Sequence, residues 1–348
     1  MAQTTPVFAP GLRAVRRKLL DAGYPSKRVP TLVAFFGRCV ALEEAAVARS
    51  LGSEALEEMV AAGMVEVGPD RRISSRVRLD VYDELVVASD GRGSGGSARS
   101  RVPGLTAVSR ALAALTVRRT GEAALDLGTG SGIHAFLAAR HAGGVRATDI
   151  NPRALAFAEF NARLNDVENV TFSSGDWLEG LDEGAFDLIT ASPAGTTTLE
   201  SVKAFRESGL ADDSDAYELV RSVPRYLVEG GFAHVFCNRL HQGSNGWHPF
   251  EELLEGVPCD ALLLVYEPCR PIPFVDRQHA VLARQDTAGR AVLLERWRSF
   301  YEDRGITRSA WGVVVLRGTP APGFRKVVER PDPPEGLAGD EVAALFAA

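Results

Sequence analysis

Ala124-Leu125-Asp126-Leu127-Gly128-Thr129-Gly130-Ser131-Gly132 is an apolar strand running into a glycine turn, and the helical pattern IHAFLAARHAG follows from Ile133. Glycines at 128, 130 and 132 permit a tight turn and let a ligand approach the backbone at the carboxyl edge of the strand. Open α/β sheets bind nucleotides at that place. Dinucleotide folds use a similar turn, so the glycines alone do not choose the ligand. Two features narrow the choice. Asp126 precedes the first glycine, where a pyrophosphate would be repelled and a cationic aminoacyl sulfonium would not. The spacing is also GxGxG, not the GxGxxG that seats a pyrophosphate on a helix start.

Working outward, the next strand ends in Thr148-Asp149-Ile150-Asn151. The Asp149 carboxylate can accept both ribose hydroxyls, Ile150 can lie on an adenine face, and Asn151 completes the same turn. NAD folds share this acid, so it supports a nucleoside without selecting one. Ser174-Gly175-Asp176-Trp177 follows the third strand. There Asp176 can accept from an adenine amine and Trp177 can close the base pocket, with a helix cap and a core ring as the plainer readings. The pieces stand in the order expected for S-adenosylmethionine (SAM) as cofactor.

From residue 105 onward apolar strands alternate with amphipathic helices, the pattern of a mostly parallel sheet covered on both faces. Strands are expected at 123–127, 145–149, 170–173, 186–191, 232–237, 261–266 and 311–317. The fold class is α/β: a Rossmann-like, seven-stranded sheet with a small N-terminal α+β domain. That domain, residues 1–88, shows helical periodicity at 11–26, 29–40, 42–51 and 53–63, then strand-like runs at 64–67 and 77–87 around the turn Gly68-Pro69-Asp70. This is a winged-helix-like pattern. Its would-be reading helix carries Glu54, Glu57 and Glu58, which phosphates repel, so DNA is disfavoured, and the domain is read as a cover for the acceptor, a homodimer contact or a stabilising addition. Residues 89–103 are rich in Gly, Ser and Arg, a flexible linker, and 104–348 form the catalytic domain.

Composition agrees. The chain has 348 residues, 45% hydrophobic and 24% charged, an ordinary globular balance. No run reaches the roughly 20 apolar residues of a membrane span, and the start lacks a signal-peptide core, which points to the cytoplasm and to no membrane partner. Four scattered cysteines without a CxxC pair predict reduced thiols and no zinc site. A net charge of -6 opposes broad attraction to nucleic acid.

The segments DLGTGSG, ATDINPRALAFAEFNARLN, SGDW and FDLITASPA resemble class I SAM-dependent methyltransferases, especially the branch that includes protein-glutamine and rRNA or DNA amino-group enzymes. Further likeness, through FRESGL and LVRSVPRYLVEGGFAHVFCNRLHQGSNGW, is to an actinobacterial two-domain group of mostly unassigned substrate. The resemblance covers most of residues 105–317. It implies SAM binding and methyl transfer, with Ser192 and Pro193 at the cofactor's reactive end. One departure matters: the branch carries Asn-Pro-Pro-aromatic to grip a planar amide or amine, and here the positions are Ser192-Pro193-Ala194-Gly195. A serine cannot reproduce the paired amide geometry, and glycine offers no stacking face.

The expectation is therefore O- or C-methylation of a small, acidic metabolite or natural-product intermediate. Arg206 is read as a carboxylate clamp with Arg239 beside it, Asn238 as a substrate contact and His241 as the proton acceptor. His134 is read as packing. A metal site from His241, His248, Asp276 and His279 lacks compact spacing, so no metal is expected. The alternatives are N-methylation of a protein glutamine or rRNA base, a nicotinamide-dependent oxidoreductase, and a cofactor-binding module without turnover.

Overall fold

The computed structural model describes residues 5–9, 11–91, 100–175, 177–193, 214–244, 246–248, 250, 254–278, 287–332 and 338–347. The chain divides into two compact units, one of residues 1–110 with 119–179 and one of residues 111–118 with 180–348.

The first unit starts with α1 (Leu12–Asp21), which buries Leu12, Val15 and Leu19 at helical spacing. Pro30 occupies the first turn of α2 (Pro30–Leu32), which passes into a single π-turn burying Phe35 and Phe36. Next come β1 (Leu42–Glu43), α3 (Glu44–Leu51), α4 (Ser53–Ala61), β2 (Val65–Val67) and β3 (Arg72–Ser75). The three strands form an antiparallel sheet in the order β1-β3-β2. The single strand expected at 77–87 is in fact a hairpin of β4 (Val77–Tyr82) and β5 (Leu85–Asp90). Its turn residues Asp83 and Glu84 have φ of 48° and 63°, the left-handed pair that matches the twist of a two-residue hairpin. Glycine and asparagine usually announce such a turn, so Asp-Glu concealed it.

The segment expected to be a linker is anchored at both ends. Ser89 and Asp90 finish β5 and are buried, as is Val102, and the Asp90 amide donates to the Val102 carbonyl at 3.1 Å. Residues 92–99 lie outside the described residues. The rest of this unit is β6 (Gly121–Leu127), α6 (Ile133–Ala138), β7 (Ala142–Asp149), α7 (Pro152–Leu164) and β8 (Val170–Ser174), with β6, β7 and β8 parallel and β7 central. Phe157, Phe160 and Leu164 of α7 join Leu12, Phe36 and Met59 in one apolar core. Each such side chain contributes about 1.5–3 kcal/mol through burial, so the N-terminal elements and α7 stabilise one another.

The second unit begins within α5 (Ala107–Leu115) and contains β9 (Phe186–Ala191), α8 (Ser214–Ser222), β10 (Leu227–Gly243), β11 (Gly246–His248), β12 (Cys259–Cys269), α9 (Pro271–Gln278), α10 (Thr287–Asp303), β13 (Arg308–Gly318), β14 (Arg325–Arg330) and α11 (Gly339–Ala344). Strand order is β9-β10-β13-β12-β14, with β11 folded back on β10. β9 runs parallel to β10 and β12 to β14, whereas β13 is antiparallel to both its neighbours. All seven expected strands are present, but β11 and β14 add to that count and the pairing in this unit is mixed, not mostly parallel. β14 reads RKVVER and leaves Val327 exposed, so it lacks the apolar run that marks a buried strand.

His234, on β10, is fully buried. Its Nε2 accepts the Val117 amide at 3.0 Å, and burial, with Arg118 nearby, pushes its pKa down to about 3.

Candidate active site

The glycine turn leaves β6 with Gly128, Gly130 and Gly132 at φ of 68°, 56° and 95°, all in the region that costs an L side chain roughly 1–2 kcal/mol. The three serve different ends. A Cβ on Gly132 would stand 2.2 Å from the Phe136 ring, so the third glycine is required by close packing on α6. At Gly128 nothing lies within 4 Å of that position, and at Gly130 only the Gly128 carbonyl does, at 4.0 Å. Open space over the first two is where a ligand can meet the main chain.

Asp126, expected to meet the ligand, is held within the turn itself. It is 1% exposed, and its Oδ2 accepts from Thr129 Oγ1 at 2.7 Å and from the Ala135 amide at 3.2 Å. The carboxylate therefore braces the turn against the start of α6. Thr129 is buried too, and its amide donates to the Thr148 carbonyl at 2.9 Å. Asp149, half-buried at the end of β7, accepts the Gly130 amide on Oδ2 at 2.9 Å and the Asn151 amide on Oδ1 at 2.8 Å. Asn151 caps α7 by accepting the Arg153 amide at 3.0 Å. Ile150, between them, is 72% exposed. Trp177 is half-buried with φ of 50°. Asp176 lies outside the described residues.

Within the first unit, then, hydrogen bonds tie Asp126, Thr129, Gly130, Gly132, Asp149 and Asn151 together around the turn that Gly128 opens. Two contributors were not anticipated. Arg153 pairs with the buried Asp90 of β5, and Asn161 of α7 donates to the Ser131 carbonyl inside the turn at 2.9 Å. The signal was available: Asn161 falls among the apolar residues of its helix, where a polar side chain needs partners.

In the second unit Ser192 and Pro193 follow β9, and Ala191 pairs with Val235. This puts Asn238, just beyond on β10, at the same strand edge. Asn238 lies in a register shift between Cys237 and Leu240, the kind of bulge that re-aims a side chain. His241 is 5% exposed, with Nδ1 3.2 Å from Ser309 Oγ and its ring edge-on to Tyr301 at 5.4 Å and Phe300 at 6.2 Å. That is a packed strand position, not the open setting of a proton acceptor. Arg206, Ala194, Gly195 and His279, and the side chains of Arg239 and His248, are outside the described residues. Arg290 takes both oxygens of Asp276, and among the described residues no three His, Cys, Asp or Glu gather as a metal site. Among these residues no helix is long and apolar enough to cross a membrane.

Residues 119–242 match the family model described as a methyltransferase domain. Over 123 residues the chain is 32% identical to a putative protein N5-glutamine methyltransferase of Methanocaldococcus jannaschii, covering 33% of this chain and 61% of the relative. A ribosomal protein L11 methyltransferase of Lacticaseibacillus paracasei is 44% identical over 78 residues, 22% of this chain and 24% of that protein. The chain thus spans from about a quarter to three fifths of the length of these relatives. Among solved structures, a Bacillus subtilis protein named YcgJ superposes with a TM-score of 0.38 at 14% identity, over 62% of this chain and 98% of the other.

Proposed function

We propose that this chain is a SAM-dependent methyltransferase acting on a small acceptor. One observation carries the reading: Gly128 and Gly130 adopt left-handed conformations under open space, beside the half-buried carboxylate of Asp149 and the exposed side chain of Ile150. The residues fit an adenosyl amino acid. The glycine main chain receives the amino acid portion, Asp149 faces the ribose, and Ile150 with Trp177 offers apolar surface to the base. Asp176, next to Trp177 in the sequence, would accept from the adenine amine. When bound, SAM supplies a methyl carbon already activated by its sulfonium. The chain's own part is to position and desolvate the acceptor.

For the acceptor we retain Asn238 as a contact and Arg206 as a carboxylate clamp, with Ser192 and Pro193 bounding the site. His241 is reassigned to packing. O- or C-methylation of an acidic small molecule is favoured because Ser192 cannot grip a planar amide as an asparagine would. The names of the relatives favour a second reading, methylation of a protein glutamine. We read the N-terminal elements, helices with a three-stranded antiparallel sheet whose first strand precedes α3, as winged-helix-like and as support for the cofactor half. Exposed Glu54 and Glu57 on α4 argue against a DNA partner.

Calorimetry with SAM, its demethylated product and NAD tests the cofactor: both sulfur compounds should bind, and NAD binding without a response to SAM would reject the assignment. Labelled methyl appearing in small acids supports the favoured acceptor. Label confined to protein or ribosomal RNA selects the second reading.

A further inference from the structure

The outer edge of β5 presents main-chain groups of Val86, Ala88 and Asp90, and α7 answers them with side chains. Asn165 accepts the Val86 amide on Oδ1 at 2.9 Å and donates Nδ2 to the Val86 carbonyl at 2.8 Å. Asn161 does the same for Ala88, at 2.8 Å in each direction. Residues four apart on a helix rise about 6 Å and residues two apart on a strand about 6.6 Å, so helix and strand keep step over these two rungs. Asp90 ends the edge, with its carboxylate on Arg153 near the start of α7.

The two asparagines differ in their remaining hydrogen. An amide nitrogen has two to give. Asn165 sends its second to the Asn161 carbonyl in its own helix, at 2.8 Å. Asn161 sends its second to the Ser131 carbonyl, at 2.9 Å, between Gly130 and Gly132. Asn161 is fully buried, so water cannot replace either bond.

Resting on the reading of this turn as the SAM cradle, we infer that Asn161 is a positioning residue that couples the cofactor turn to the β4-β5 hairpin. It holds the Ser131 carbonyl, and hence the peptide planes around Gly130 and Gly132, in the conformation the ligand meets. Coupling is reciprocal by thermodynamic necessity: if hairpin docking favours the filled turn, filling the turn strengthens the docking.

The test uses the full chain and the demethylated cofactor. Asn161→Ser and Asn165→Ser each remove one rung and should lower the melting temperature alike. Only Asn161→Ser should weaken cofactor binding, by tenfold or more, with Asn165→Ser within twofold of the parent. In the unaltered chain, saturation should slow hydrogen exchange at the Val86 and Ala88 amides, a measurement that decides the matter even if a variant fails to fold. Equal affinity changes in the two variants, or exchange at Val86 and Ala88 indifferent to saturation, overturns the coupling while leaving the cofactor assignment intact. An unaltered chain that does not bind the cofactor overturns the assignment, and the coupling with it.

Discussion

The glycine turn after β6 and the strand edge at Ser192 and Asn238 are held by different means. At the turn, main-chain conformation shapes the surface and buried or half-buried polar groups fix it: Asp126 on Thr129 and Ala135, Asp149 on Gly130 and Asn151, Asn161 on Ser131. At the strand edge, Ser192 and Pro193 follow β9 and Asn238 sits in the bulge of β10, so what the proposed acceptor meets there depends on side chains. The difference teaches that a surface made of backbone is over-determined, each part having several ties, whereas one made of side chains at strand ends can be re-equipped by substitution.

The sharpest way to break that contrast is at Gly132. Gly132→Ala combines positive-φ strain with a collision against Phe136 and should cost about 3–5 kcal/mol, seen as a collapsed melting temperature. Gly128→Ala should cost only about 1 kcal/mol yet weaken SAM binding in calorimetry, because its Cβ enters the open space. Equal stability losses in the two would mean the glycines do not divide their tasks. Next in size, Asp90→Ala strands the Arg153 guanidinium, which is 11% exposed. Removing one partner of a buried pair costs about 3 kcal/mol or more, to be read by denaturant unfolding.

Activity sharpens the other side. Asn238→Ala should lower turnover by at least tenfold, measured as label transfer. His241→Phe, which replaces a packed ring, should lose stability through the unpaired Ser309 hydroxyl, about 1–2 kcal/mol, with turnover within twofold. A hundredfold loss in His241→Phe would restore it as the proton acceptor.

The smallest expected effect is in pH. His234 has a folded pKa pushed down to about 3, below the unfolded value, so its neutral form is required for folding. Its contribution is fully present above about pH 6.5 and declines as pH falls toward 3. Between pH 6 and 5 stability should drop by about 1 kcal/mol, and His234→Gln, which keeps an acceptor for the Val117 amide, should flatten that slope.

The same contrast explains what could be read in the sequence. Gly128, Gly130 and Gly132 are informative because few other reasons place glycine at each step of a strand-to-helix turn. Most of the seven main strands were legible because buried strands need apolar runs, as in residues 261–265. The β4-β5 turn was hidden by Asp83-Glu84, and β14 by its exposed charges. His241 is ambiguous in the sequence, because a histidine after a strand suits catalysis and packing equally; its neighbours Phe300, Tyr301 and Ser309 favour packing. Asp126 was correctly placed at the turn, but its partners, and so its role, depend on where α6 begins.

The rungs between α7 and β5 reach only peptide groups, never the side chains of Val86 or Ala88. The rungs themselves read no side chain, but the buried side chains of Val86 and Ala88 and the pairing of Asp90 with Arg153 do impose a code on the strand. A transplanted hairpin would therefore have to bring an apolar underside and a terminal acid for Arg153 as well as an extended edge of similar length.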